Sequence, residues 1–131
     1  MRILKKGTLL VSTALVFVLT VSVSAISAAE PPISQAERQK IEALIQTVEK
    51  LGGATFIRND RSYDAASAAR FLRGKWRSRE NEVRSAEDFI KKVASFSSTT
   101  GKPYLIRFRD GREMPSAAFL REQLAHRTEK Q

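Results

Sequence analysis

Few residues in this chain have both the type and the spacing for chemistry. Ser97, Ser98, Thr99 and Thr100 lead into Gly101 and Lys102, a hydroxyl-rich stretch closed by an amine. It is not a phosphate loop: Phe96 stands where the leading glycine is required, and Pro103 replaces the Ser or Thr that would hold magnesium. Its spacing allows a Ser/Lys nucleophilic pair, which needs a lysine of depressed pKa. The competing reading is a turn whose hydroxyls satisfy backbone groups. A second concentration lies at Arg70, Arg73, Lys75, Arg77 and Arg79, five cations before the first acid, Glu80. On a helix Arg70, Arg73 and Arg77 share a side, and an aromatic such as Trp76 beside arginines can stack a base or sugar. Against that stands a solvated basic face with Trp76 turned into the core.

Other chemistries lack their residues. The chain has no cysteine, so disulfides, cysteine-ligated zinc and a thiol nucleophile are excluded; its one histidine, His126, excludes a multi-histidine cage. His126 falls in the last turn of a C-terminal helix, where an imidazolium complements the free carbonyls. Asp60, Asp64, Glu80 and Glu82 show no spacing that implies an acid/base couple. Neither a metal nor a cofactor is expected.

Local signals assign the elements that must carry these residues. Ser34 with Glu37 reads as a capping box ahead of Ile41, Leu44, Ile45, Val48 and Leu51 at helical spacing, ended by Gly52-Gly53. Residues 54–58 read as a strand, followed by turn residues Asn59-Asp60. Asp64 caps a second helix whose inner face is Ala65, Ala68, Ala69, Leu72 and Trp76. Ser85 opens a third, with acids in its first turn and lysines in its last. Residues 104–109 alternate as a strand into Asp110-Gly111, a hairpin signal, with a return strand at 112–114. A final helix from Pro115-Ser116 directs Ala117, Leu120 and Leu124 inward. The expectation is one α+β domain over residues 30–131, about four helices on a small antiparallel sheet of about three short strands.

Residues 1–29 read differently. Arg2, Lys5 and Lys6 precede an uncharged stretch that ends in the small residues Ser27-Ala28-Ala29, the three-part pattern of a signal peptide cleaved near Ala29. The alternative, an uncleaved anchor, is opposed by the Ser and Thr that dilute its second half. Cleavage removes three of the 23 basic residues, leaving 20 against 14 acids and a net charge of +6 rather than +9. The expected location is the periplasm, with no stable membrane span after cleavage, and nucleic acid is not an expected partner there.

With these motifs placed, the chain resembles the YfeK-like family of small exported bacterial proteins of unknown function, from about Ile33 to Leu124. The resemblance rests on Phe56-Ile57-Arg58-Asn59 with Tyr63, Leu72-Arg73-Gly74-Lys75-Trp76, Phe89-Ile90 and, most specifically, Ser97 to Tyr104. It implies a periplasmic location and no particular activity. Relatives often carry cysteines where this chain has Ala54 and Phe108, and a glycine where it has Asp60. If those cysteines pair, Ala54 and Phe108 are neighbours with Cα atoms about 4.4–6.8 Å apart, and strand 54–58 lies beside strand 104–109. The same pairing would gather Arg58, Asn59, Tyr63, Ser97, Ser98 and Tyr104 into a polar cluster, structural or ligand-binding.

The function these readings favour is a non-enzymatic binding or accessory module for an envelope component: an anionic surface, a polymer or an acidic protein. The alternative is a small hydrolase or transferase using Tyr63, Ser98 and Lys102, for which a deep site and a partly buried Lys102 would speak.

Overall fold

A computed structural model describes residues 31–131; the expected signal peptide lies outside them. Helix α1 (Gln35–Glu49) is capped by Ser34, whose hydroxyl accepts from the Glu37 N–H at 3.2 Å, and it buries Ile41, Leu44, Ile45 and Val48 completely. Only half of the capping box forms. The Glu37 carboxylate turns away, accepting from Lys40 Nζ at 2.8 Å and from the Ala86 N–H at 2.7 Å. It therefore serves as an acceptor for the start of another helix, 49 residues on. Both bonds favour its ionised form, and its pKa is lowered, with Lys40 the larger cause.

Strands β1 (Thr55–Arg58) and β2 (Arg61–Tyr63) form a hairpin through Asn59 (φ 51°) and Asp60 (φ 63°), both in the left-handed region. Two such residues in a two-residue loop make the mirror-image turn that suits strand twist, normally an Asn-Gly position. Strand β2 makes a fourth strand; as three residues, two of them polar, it offers almost no alternation to read. Helix α2 (Ala65–Ser78) follows the Asp64 cap and buries Ala68, Ala69, Leu72 and Trp76. A 3₁₀ turn (Glu80–Glu82) leads to α3 (Ala86–Lys92), capped by Ser85. Strands β3 (Leu105–Arg107) and β4 (Glu113–Pro115) and helix α4 (Ser116–Thr128) complete the domain. In α4, Phe119 and Leu120 are the buried apolar residues, whereas Ala117 and Leu124 are only partly covered. The inward face is thus rotated from the spacing first read.

The sheet order is β2-β1-β3-β4, antiparallel throughout. One register row, Tyr63–Phe56–Ile106–Met114, crosses all four strands and meets the helices through the fully buried Ile106 and nearly buried Phe56. Strand periodicity puts residues two apart on the same face. Ala54 and Arg58 therefore share the face of Phe56, and Tyr104 and Phe108 that of Ile106. Continued by one residue at each end, the β1–β3 register opposes Ala54 to Phe108 and Arg58 to Tyr104. The β1–β3 pairing bears out the expected adjacency of the 54–58 and 104–109 segments, with Ala54 and Phe108 each one residue beyond the last pair, Thr55–Arg107. Phe108 also packs on Phe119 at a ring separation of 5.9 Å.

Candidate functional site

Arg58 is the residue that this register exposes to chemistry. It lies on the core-facing side of β1 at the strand's end, opposite Arg61 on β2 and Tyr104 beyond β3. Two arginines directly opposed across strands repel. The Arg58 guanidinium lies over the Phe71 ring at 4.2 Å, and Phe71 meets Tyr104 edge-on at 5.7 Å. The Arg58 Nε is buried with no hydrogen-bond partner, and among the described residues no carboxylate is ion-paired with Arg58.

Lys75 completes the group from α2, one turn beyond Phe71. Its Nζ donates to the Phe96 carbonyl at 2.8 Å and to the Tyr104 hydroxyl at 3.0 Å. The same nitrogen is 4.9 Å from the centre of the Tyr104 ring, so the hydroxyl rather than the ring face holds it. Desolvation, then the charges of Arg79 and Arg58, lower the Lys75 pKa to about 8. Burial raises that of Tyr104, opposed by the nearby Arg58 charge. The pair is thus a protonated amine donating to a neutral phenol at neutral pH.

These groups line an open recess of ≈ 420 Å³, whose floor and wall include Arg58, Phe71, Lys75, Ser97, Ser98 and Tyr104. Four of the six residues expected to cluster, Arg58, Ser97, Ser98 and Tyr104, meet there. Tyr63 does not line it; it lies in the row beside Phe56 and faces an adjoining apolar cavity. Asn59 stands outside, its side-chain oxygen accepting from the Thr100 hydroxyl at 2.6 Å. Ser97, 2% exposed, accepts from the Thr99 and Thr100 N–H groups at 3.3 and 3.4 Å, closing its own turn. Lys102 is paired with Asp60 at the surface, with 54% of its side chain exposed. Tyr63 and Ser98 thus line different cavities, and Lys102 is held at the surface by Asp60.

The five basic residues of α2 and its end diverge. Arg73 faces Glu42 at 3.8 Å and Glu49 at 3.4 Å on α1. Arg77 is exposed near Arg38, whose guanidinium covers the Trp76 ring at 5.5 Å. Arg79 pairs with Glu82 at 2.8 Å and donates to the Lys92 carbonyl. Arg70 donates to Ser67 at the rim of the apolar cavity, and Lys75 belongs to the recess. Trp76 itself is buried, edge-on to Phe89 with Arg38 over its ring, which matches the reading that turns it into the core. Phe71 went unnoticed in the sequence; its i,i+4 spacing to Lys75, off the Ala68-Leu72-Trp76 face, is the signal that marks it.

Among the described residues no cluster of three or more His, Asp or Glu can hold a metal, and no helix is long and apolar enough to cross a membrane. No solved structure matches the chain. A curated relative, uncharacterized protein YfeK of Salmonella typhimurium (strain LT2), is 40% identical over 68 residues. That alignment covers 52% of this chain and 57% of the relative, so the chain spans little more than half of the relative's length. A model of a family of unknown function, DUF5329, matches residues 35–128, from the first turn of α1 to the last of α4. The chain belongs to this YfeK-like family of unknown function, DUF5329.

Proposed function

We propose that this is an exported, periplasmic, non-enzymatic binding domain that takes an anionic group of an envelope component into the recess between β1, α2 and the 95–104 segment. One observation carries the reading. Arg58 and Lys75 converge on Tyr104 in an aromatic-walled recess, and neither has a carboxylate partner among the described residues. Holding two partly desolvated cations together without a counter-ion is unfavourable, and a bound carboxylate or phosphate would relieve it with charge-assisted hydrogen bonds. The exported location is the reading of the N-terminal sequence.

Titrating the full chain with inorganic phosphate and with acetate, observed by amide NMR, tests this. Shifts confined to Arg58, Phe71, Lys75, Ser98 and Tyr104 are the expected outcome. Shifts spread evenly over Arg73, Arg77 and the other surface cations would reduce the binding to general electrostatics.

The hydrolase or transferase reading has one observation in its favour, the Lys75 amine sharing the recess with Ser98, and the desolvation that lowers its pKa is in keeping with it. The residue concerned is Lys75, not Lys102. Turnover of an activated ester through an acyl group carried as an ester on Ser98 and released to water, lost in Lys75→Met, supports that reading; acylation of Lys75 itself, which ends in a stable amide, leaves a binding lysine.

A further inference from the structure

Next to the recess lies a cavity of ≈ 220 Å³, walled by Phe56, Tyr63, Phe71, Leu72, Tyr104 and Leu105. An apolar cavity of about 150 Å³ already admits benzene, so this one admits a phenyl group with a short linker. Four of its walls are aromatic, and their edges and faces suit a fifth ring. Its polar lining is Arg58, Ser67, Arg70 and Ser116. Arg70 donates to the Ser67 hydroxyl at 3.1 Å, while Asp64, which feels the Arg70 charge, accepts from the Ser67 N–H at 2.7 Å. Ser116 is buried, its N–H given to the Tyr104 carbonyl. Arg58 lines the cavity with an Nε that is buried and has no hydrogen-bond partner, so the protein does not fully satisfy its guanidinium. Such groups normally find a partner. Arg58, Phe71 and Tyr104 line both the cavity and the recess, so a charged group and an apolar group can be held side by side.

We propose that the cavity binds a small anion bearing a phenyl-sized apolar group, an arylalkyl carboxylate, with the ring among Phe56, Phe71 and Leu72 and the carboxylate on Arg58. The inference rests on the anion reading above and narrows it to an amphipathic ligand. Free aromatic acids and peptide C-termini ending in an aromatic residue share this chemistry.

The full chain is titrated by NMR with acetate, 3-phenylpropanoate and 3-phenylpropanol. Burying the phenyl group should make 3-phenylpropanoate bind roughly 10- to 100-fold more tightly than acetate. The uncharged alcohol should bind at least about tenfold more weakly than the acid, because it forgoes the charge-assisted bonds. Ala68→Leu, which adds bulk at the cavity wall, should abolish the aryl advantage and keep the acetate response. Ser67→Phe, at a half-buried position on α2 that lines the cavity, repeats the test should Ala68→Leu unfold the domain. Tighter binding of N-acetylphenylalanine than of 3-phenylpropanoate assigns the source to peptide ends, the reverse to free acids, and either supports the proposal. Equal affinity of acetate and 3-phenylpropanoate, or of acid and alcohol, overturns it. If acetate still shifts Arg58 and Lys75, only this inference falls; if no anion shifts them, the anion reading falls with it.

Discussion

The α1 side of α2 and its β1 side carry similar charge and treat it oppositely. Toward α1, Arg73 sits between Glu42 and Glu49, and Arg38 meets Glu80 at 3.2 Å. These pairs are solvent-exposed, and each is worth little. Toward β1, Lys75 and Arg58 have a carbonyl, a hydroxyl and aromatic rings, but no ion-paired carboxylate among the described residues. Counting arginines along α2 cannot separate the two sides; the supply of partners does. A paired surface cation already has its charge partly neutralised, whereas a partly desolvated one without a carboxylate has more to gain from an anionic ligand.

The largest effect expected from this contrast is on anion binding. Arg58→Ala should weaken phosphate binding roughly 10- to 100-fold, the range for a lost hydrogen bond to a charged group. Arg73→Ala should change it less than about twofold. Equal losses in the two variants would erase the distinction between the sides.

The second effect is on pH. With a Lys75 pKa of about 8, the amine loses its charge as pH rises from 7 to 9, and phosphate affinity should fall up to roughly tenfold over that range. Stability moves the other way. Between pH about 8 and 10.5 the folded state has released this proton while the unfolded chain keeps it, so stability rises with pH across that window. Lys75→Met should remove both trends, which thermal melts and phosphate titrations at matched pH would register.

Three smaller effects sharpen the contrast in stability. Ser97→Ala should cost about 1–2 kcal/mol, because two N–H groups lose a buried acceptor; a loss near zero would return Ser97 to the candidate ligand groups. Asp60→Gly should gain about 0.5–1 kcal/mol by relieving a left-handed residue, despite removing the Lys102 partner. A net loss would show that the Lys102 pair outweighs the turn. Arg73→Ala should cost at most about 1 kcal/mol in a urea melt; a much larger loss would mean that the α1-side pairs hold the helices together.

The local devices were legible because they depend on residues three or four apart. Ser34, Asp64 and Ser85 each cap the helix that follows, and each buried face recurs at helical spacing. Strand β2 was not legible, since Arg61-Ser62-Tyr63 becomes a strand only by pairing with β1 across a turn of two left-handed residues. The candidate site was half legible. The family resemblance suggested the neighbourhood of the 54–58 and 104–109 segments, and with it Arg58 and Tyr104. It left Lys75 among the basic residues of a helix face and grouped Asn59 and Tyr63 with a recess they do not line.

Glu37 shows the limit. Its position three residues after Ser34 specifies a capping box, yet its carboxylate accepts from Ala86 instead. The sequence by itself determined the domain's basic charge and the helices, with the caps and apolar faces of the first three, which are set by interactions within a few residues; the buried face of α4 was settled by packing. Only the tertiary structure decided which cations are neutralised. Pairing is a matter of angstroms between segments tens of residues apart: Arg73 meets Glu49 across 24 residues, and Lys75 meets Tyr104 across 29.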